Sequence, residues 1–398
     1  MTKRLHYDDP YLTQFEAQVL RRLEVGGRPA VILDRSAFYP EGGGQPADVG
    51  LLGRIPVVDV QELEGEVVHV LAGPLPPEVE VVAGQVDWQS RFDHMQQHTG
   101  QHILSQACLR VLGAETVAFH LGKSITTIDL DQPGLTGADL QEAETLANAV
   151  VAENRAVQAS FVSEEELAQL PLRRPVAISG PVRVVQVDGF DLSACGGTHV
   201  RSTAEVGGIK ITRVDRRGME TRVGFLCGRR AFADYRRKHA VVTALSEMLT
   251  TGEDQLVEAI RRLEAELKAT GKALRRAQEQ IAQLEAPRFW AQAEIRGSLH
   301  IVARWFEDRS LDQVKTLAQT LREQPNTVAL LAWRDGKAGR VMLFFTRSEG
   351  VSADMGELMR IACAVLGGKG GGRADWAQGG ASSGRRLEQA LDAALRNL

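Results

Sequence analysis

Five of the nine histidines in this 398-residue chain fall between residues 94 and 199. Within that span four side chains have the types and spacing of a metal site. His98 and His102 stand four apart in the string HTGQH. On a helix that spacing puts both imidazoles on one face, one turn apart, where they can share an ion. Cys195 and His199 close the string CGGTH, in which two glycines let the backbone fold tightly. An HxxxH pair alone is more often structural, and the added CxxxH is what turns the balance toward metal. One thiolate with three imidazoles favours Zn²⁺. Four donors fill a tetrahedron, whereas catalysis needs an open position. Either one ligand is loose or the ion expands its coordination. His94, one turn before His98, reads as a neighbour of the site or a surface histidine. Cys108, six residues past His102, points off the ligand face and reads as core.

These donors need elements to hold them. Residues 90–112 have helical periodicity and end at Gly113, a natural C-cap. Residues 116–130 alternate as two strands around Gly122, so that His120 can face a pocket. Further helical stretches at 137–154 and after the capping box SEEE at 163–166, with strands at 182–187 and 208–214, make residues 90–235 an α+β domain. Ahead of it, residues 1–89 hold short strands separated by Gly/Pro-rich turns, the pattern of a small barrel or sandwich. Behind it, Leu256, Ile260, Leu263, Leu267, Thr270, Leu274, Ala277, Ile281 and Leu284 step by four and three. That is a heptad seam on a rod roughly 43 Å long, expected to stop at Pro287. It suits a spacer or a dimer stalk, or a helix packed on its own domain. Strands and helices alternate over residues 288–398, as in a C-terminal α/β domain. The expected fold class is therefore α+β: a β-barrel-like N-terminal domain (1–89), a zinc-binding domain (90–235), a long heptad helix (236–287) and an α/β domain (288–398).

Composition narrows the function classes. The chain has 47 Lys/Arg against 51 Asp/Glu, a net charge of -4, so as a whole it is not a basic nucleic-acid binder. The average hides structure: residues 201–240 carry 11 basic side chains against four acids, and residues 121–200 carry five against eleven. The first stretch is a candidate phosphate track beside the metal residues, with a solvated surface as the alternative. No apolar run reaches membrane-spanning length, and the N-terminus lacks the apolar core of a signal peptide. Four cysteines without a CxxC pair fit a reducing, cytoplasmic setting.

The motifs in order carry a resemblance. HTGQH and CGGTH resemble the zinc site of the editing domain of alanyl-tRNA synthetases, which also occurs in freestanding alanyl-tRNA editing proteins of the AlaX type, with a relative in threonyl-tRNA synthetases. FYPEGGGQPADVG at 38–50 resembles the Gly-rich motif of the preceding β domain. RFDH at 91–94 leads into the first zinc histidine as in the family, and TAEVGGIKI at 203–211 resembles the strand after the zinc loop. GGKGGGRADWAQGG at 367–380 resembles the signature of the DHH-associated domain that ends the synthetases, although no Asp-His-His motif is present. TRVGFLCG at 221–228 looks more like the freestanding type. About 37 residues precede Phe38, too few for an aminoacylation core, so the expectation is the long freestanding form.

The resemblance implies a zinc-dependent deacylase acting in trans on tRNA(Ala) mischarged with serine, and also with glycine. It places His98, His102, Cys195 and His199 on the metal and makes Gln45 and His120 pocket candidates. RNA contacts are expected from Arg213, Arg216, Arg217 and Arg222, and from Lys369 and Arg373 flanking the C-terminal glycines, whose amides suit phosphates. A homodimer is expected because the corresponding region of the synthetases dimerises. Two competing readings are a non-catalytic tRNA-binding protein with a structural zinc and a zinc hydrolase of another ester or amide to which RNA is irrelevant.

Overall fold

The computed structural model describes residues 1–174 and 180–398. It is a mixed α+β structure with several sheets, divided into two compact units, Met1–Ala244 and Leu245–Leu398.

The first unit opens with β1 (Lys3–Arg4) and α1 (Leu5–Asp8), followed by β2 (Gln14–Val25), β3 (Arg28–Leu33), β4 (Arg35–Ser36), β5 (Gly50–Leu52), β6 (Ile55–Leu63), β7 (Glu66–Leu71) and β8 (Val81–Val86). Six of these strands close into a barrel in the order β2-β3-β7-β6-β5-β8. Its interior is apolar: Val31, Leu33, Phe38, Leu52, Val60 and Leu71 are buried together. The string PEGGGQ is the hairpin-like turn that leaves this barrel. Gly43 and Gly44 both have positive φ, which only glycine adopts without cost. Gly42 and Gln45 bond to each other across that turn, so the turn delivers the Gln45 side chain.

Helix α2 (Trp88–Leu112) runs through the centre of the unit. Asp87 caps it by accepting from the Ser90 N–H at 2.7 Å, and Gly113 ends it in the left-handed conformation. One side packs Met95, Ile103, Leu104, Ala107 and Cys108 into the main core. Elsewhere α2 is buried by polar residues that have partners: Gln97 donates to the Cys227 carbonyl at 3.0 Å and accepts from the Cys227 N–H at 2.9 Å. Arg91, wholly buried, pairs with Asp48 and donates to the Pro10 and Ala37 carbonyls at 2.6 Å each, bolting the barrel's loops to the helix. Around α2 lie β9 (Thr116–Leu121), β10 (Thr126–Leu130), α3 (Leu140–Ala152), β11 (Val157–Val162), α4 (Glu164–Leu167), β12 (Val182–Val187), β13 (Asp191–Ala194), β14 (Ile209–Arg217) and β15 (Glu220–Cys227). They form a four-stranded sheet β14-β15-β10-β9 and a three-stranded antiparallel sheet β11-β12-β13. Helix α5 (Gly228–Leu249) follows β15.

The second unit contains α6 (Leu256–Ala291), then β16 (Glu294–Arg296), β17 (Leu299–Phe306), α7 (Leu311–Leu321), β18 (Thr327–Arg334), β19 (Val341–Arg347), α8 (Met355–Leu366), β20 (Lys369–Gly372), β21 (Trp376–Ala381) and α9 (Leu387–Arg396). The sheet order is β16-β17-β18-β19-β21-β20, with only the β17–β18 pair parallel. Strand β18 alternates its side chains between two cores: Val328, Leu330 and Ala332 face α8 and α9, while Ala329 and Leu331 face α7 and the end of α6.

Two expectations need correction here. Pro287 does not stop the long helix, which runs on to Ala291. The last turn is held by packing: Ala286 is fully buried, Phe289 meets Phe306 edge-on at 6.0 Å, and the Trp290 indole donates to the Pro325 carbonyl at 3.0 Å. These contacts offset the backbone hydrogen bond that proline cannot make. The stretch expected as one long helix over 236–287 is divided, with α5 ending at Leu249 and α6 beginning at Leu256, and near the end of α6 the face that docks lies off the heptad seam. Ala282 and Ala286 contact the sheet, whereas Leu267 and Leu284 are 75% and 80% exposed.

Candidate metal centre

His98, His102, Cys195 and His199 converge. Each offers one donor atom, and all four donors lie within 4.8 Å of one another. His98 Nε2 and His199 Nε2 are each 3.3 Å from Cys195 Sγ. The His98 and His199 rings are 4.5 Å apart, and those of His102 and His199 4.7 Å. Helix α2 supplies the first two ligands through its four-residue spacing. The turn after β13 supplies the others.

What makes the cluster usable is what holds the far nitrogen of each ring. Gln45 accepts from His98 Nδ1–H at 2.8 Å and from the Thr198 N–H at 3.1 Å, while its amide donates to Thr198 Oγ1 at 2.9 Å. With its carbonyl oxygen committed as acceptor, His98 must carry its proton on Nδ1 and turn the Nε2 lone pair inward. His102 Nδ1 stands 3.1 Å from Asp191, and Ser193 donates to the same carboxylate oxygen at 3.1 Å. His199 Nδ1 meets Thr99 Oγ1 at 3.1 Å, and that oxygen also accepts from the Val200 N–H. All three rings thus have an outward partner at Nδ1, the arrangement that orients metal-ligating histidines.

The turn itself is shaped for close approach. A Cβ on Gly197 would lie 2.2 Å from His98 Cε1 and 2.9 Å from Gln45 Oε1, so only hydrogen fits there. Neither Gly196 nor Gly197 has a positive φ. The glycine at 197 is therefore required by the imidazole stacked on it, and the left-handed freedom of glycine is not in use. Arg183 braces the turn from β12, donating to the Cys195 carbonyl at 2.8 Å and the Gly197 carbonyl at 2.9 Å.

The electrostatics suit a cation. Burial pushes the Cys195 thiol up, but its electrostatic interaction with the adjoining His98 and His199 rings and hydrogen bonds from His102 and His199 outweigh it and hold the thiol well below its usual range. The Gly197 N–H, 3.4 Å away, points at the sulfur. Burial lowers His199 to about 3, keeping it neutral as a ligand must be. Burial also opposes charge on His102, but its hydrogen bond to Asp191 raises it overall. A thiolate with three imidazoles at this spacing fits one divalent cation.

The cluster borders a cavity of about 390 Å³, which three of the four ligands (His98, His102 and Cys195) line. Phe119 lines it too, its ring 5.0 Å from that of His98. His120, the next residue on β9, is exposed and is not brought to the cavity, because alternate side chains of a strand face opposite ways. His94 is buried but stands outside the four-donor group, its Nδ1 without a hydrogen-bond partner among the described residues. Cys108 sits in the core, its thiol pushed up to about 12 by burial.

The residues expected on RNA are mixed. Arg222 makes two 2.6 Å bonds to Asp129 on the neighbouring strand and so ties β15 to β10. Arg213 pairs with Asp215 at 2.5 Å, and Arg217 approaches Asp129 at 3.7 Å. Arg216 has no ion-pair partner among the described residues and is exposed. In the second unit Lys369 opens the edge strand β20 and Arg373 directly follows it; both are exposed. Two of the three glycines between them pack: a Cβ on Gly370 would come 2.7 Å from Cys363 Sγ, and one on Gly372 2.3 Å from the Trp376 carbonyl, whereas one on Gly371 would meet open space.

Sequence reasoning passed over Thr99, Asp191, Ser193, Arg173 and Arg183. Thr99 lies inside HTGQH, but nothing local marks a threonine as a histidine's partner. Asp191, Ser193 and Arg183 become partners only when β12 and β13 pair beside α2, and Arg173 joins them by donating to the His102 carbonyl at 3.0 Å.

Comparison with known proteins adds an independent line. Residues 182–223 match the model of the threonyl and alanyl tRNA synthetase second additional domain, and residues 299–398 match the DHHA1 domain. The chain is 30% identical over 410 residues to the alanyl-tRNA editing protein AlaX-L of Pyrococcus horikoshii, covering 100% of this chain and 98% of that one. It is 30% identical over 390 residues to the alanyl-tRNA editing protein Aarsd1-A of Xenopus laevis, covering 94% and 92%. Against the alanine–tRNA ligase of Pyrococcus abyssi the identity is 32% over 415 residues, but the chain spans only 44% of that enzyme's length.

Proposed function

The chain belongs to the family of alanyl-tRNA editing proteins, and from that membership we propose that it is a zinc-dependent deacylase that hydrolyses the ester of tRNA(Ala) mischarged with serine, and also with glycine. The observation that carries the proposal is the buried His98–His102–Cys195–His199 cluster, with every outward Nδ1 held, opening on one cavity. When bound, the zinc ion supplies an activated water or a polarised ester carbonyl. The chain's own residues do the positioning. Gln45 fixes the His98 tautomer, Asp191 and Thr99 orient His102 and His199, and Arg183 holds the turn that presents Cys195. Phe119 walls the cavity beside His98. Serine is separable from alanine because a site that bonds a hydroxyl disfavours the substrate lacking it.

Four further parts belong to the proposal. RNA is contacted through the face carrying Arg213, Arg216 and Arg217, and through Lys369 and Arg373. The chain divides functionally at 1–89, 90–235, 236–287 and 288–398. It works in the cytoplasm, where charged tRNA is used. The exposed heptad face of α6 mediates a homodimer, which sedimentation tests.

The test is release of serine from Ser-tRNA(Ala) by the purified chain, compared with Cys195→Ala and with metal content. Hydrolysis above the uncatalysed rate, lost together with about one equivalent of zinc in the variant, is expected. A second reading, a non-catalytic tRNA-binding protein, draws on the fact that four donors complete a tetrahedral set. It predicts tRNA binding and zinc content with no deacylation of either the seryl or the glycyl ester.

A further inference from the structure

An exposed phenylalanine sits beside the cavity with no apolar cover. Phe161, on the edge strand β11, is 56% exposed. Its ring meets that of Tyr7 edge-on at 5.6 Å. Tyr7 lines the cavity with Arg4 and with the Cys195–Gly197 turn, and a Cβ on Gly196 would stand 3.6 Å from the Tyr7 hydroxyl. Cations surround the pair: the Arg183 guanidinium is 5.2 Å and that of Arg4 5.7 Å from the Tyr7 ring centre. Arg173 lines the same cavity. Two acids also line it. Glu62 is engaged by Arg4 at 2.7 Å, and Glu41 is exposed. Phe161 does not itself line the cavity but touches Tyr7, which does; Phe232 and Tyr235 on α5 are exposed as well, and among the described residues neither has a ring contact with a lining residue.

We propose that Phe161, braced edge-on by Tyr7, is a stacking platform for the unpaired 3′-terminal base of the RNA substrate. The inference rests on the deacylase reading and deepens it. An aminoacyl ester is carried on the terminal ribose, so when the ester lies at the cluster the base of that same nucleotide lies within one nucleotide's reach of it. Unpaired RNA ends are held by stacking on aromatic rings and by cations on their phosphates, a combination found at this mouth. The ring pair is anchored rather than loose: Tyr7 packs on His6 at 4.6 Å and accepts from Arg4 at 3.3 Å. Across the β11–β12 register Phe161 stands opposite Arg183, the residue that braces the metal-bearing turn.

The experiment uses the full chain and a stem-loop RNA with a single-stranded 3′ end whose last base is 2-aminopurine. Wild-type protein should quench the fluorescence on binding. Phe161→Ala should lose most of the quench and weaken binding about 5- to 160-fold, the range of one lost base–aromatic stack. Phe161→Trp should restore both, and Phe161→Leu, apolar but without a π face, should not. On Ser-tRNA(Ala) the alanine variant should raise KM by more than it lowers kcat. Metal content equal to wild type confirms that the variant folds. Unaltered quench, affinity and KM in Phe161→Ala, with deacylation intact, would overturn the platform and leave the deacylase standing. Quenching that depends on Phe161 in a chain that never deacylates would overturn the deacylase and leave the platform. Neither quench nor deacylation by the wild type would overturn both.

Discussion

At the scale of single residues, the site depends as much on the partners of the ligands as on the ligands. Gln45 is buried, bonds to no solvent-facing group, and sets which nitrogen of His98 faces the other three donors. Gln45→Leu keeps the volume and removes that control. Zinc affinity, read by chelator competition, should fall about 10- to 100-fold, the cost usual for losing such a partner. Gly197→Ala should do more, since its Cβ would overlap the His98 ring at 2.2 Å. The variant should fold with about its normal helix content, purify with well under one zinc per chain, and lose deacylation. Gly196→Ala, whose Cβ meets only the Tyr7 hydroxyl at 3.6 Å, should keep its zinc.

At the scale of elements, glycines decide how closely α8 lies on its sheet. A Cβ on Gly379 of β21 would stand 2.5 Å from Cys363 Sγ, 2.8 Å from Met359 Sδ and 2.9 Å from the Gly370 Cα. Gly379→Ala therefore overpacks the α8–sheet contact and should destabilise the second unit by about 1–3 kcal/mol in denaturant melts. Adding Cys363→Ala removes the nearest atom and should recover part of the loss. The strands β14 and β15 teach a related lesson about charge. Their arginines look alike in sequence, yet Arg222 is locked to Asp129 and Arg216 is not. Charge reversal at Arg216 should weaken tRNA binding and flatten its salt dependence without affecting stability, whereas Arg222→Ala should lower the melting temperature.

At the scale of the whole molecule, each compact unit has its own hydrophobic cores, and acid should find the first through a histidine outside the metal site. His69 lies wholly inside the barrel, with Ser36 Oγ 2.7 Å from Nε2 and the Val31 carbonyl 3.2 Å from Nδ1. Burial lowers its pKa from about 6.5 to about 4. Between those values the unfolded chain binds the extra proton and the folded chain does not. Stability from this group is complete above pH 6.5, falls as pH drops toward 4, and changes no further below it. The loss should approach about 3 kcal/mol. Melts of the chelated protein from pH 7 to 4.5 should show this slope, and His69→Gln should flatten it.

Much of this was legible from the sequence alone. The ligand spacing, the helix that carries two of the ligands, the ordered motifs and the lopsided charge are local patterns, written in neighbouring residues and in periods of 3.6 or 2. Tertiary structure decided what joins distant segments. It paired Gln45 with His98, Asp191 with His102 and Thr99 with His199, and it left His120 outside where Phe119 turned in. It carried α6 through Pro287 and turned a glycine cluster into a packed edge strand. The reason is physical: a hydrogen bond or a packed contact between residues 53 or 100 apart in the chain leaves no periodic trace in either segment, and appears only when the fold brings the two surfaces together.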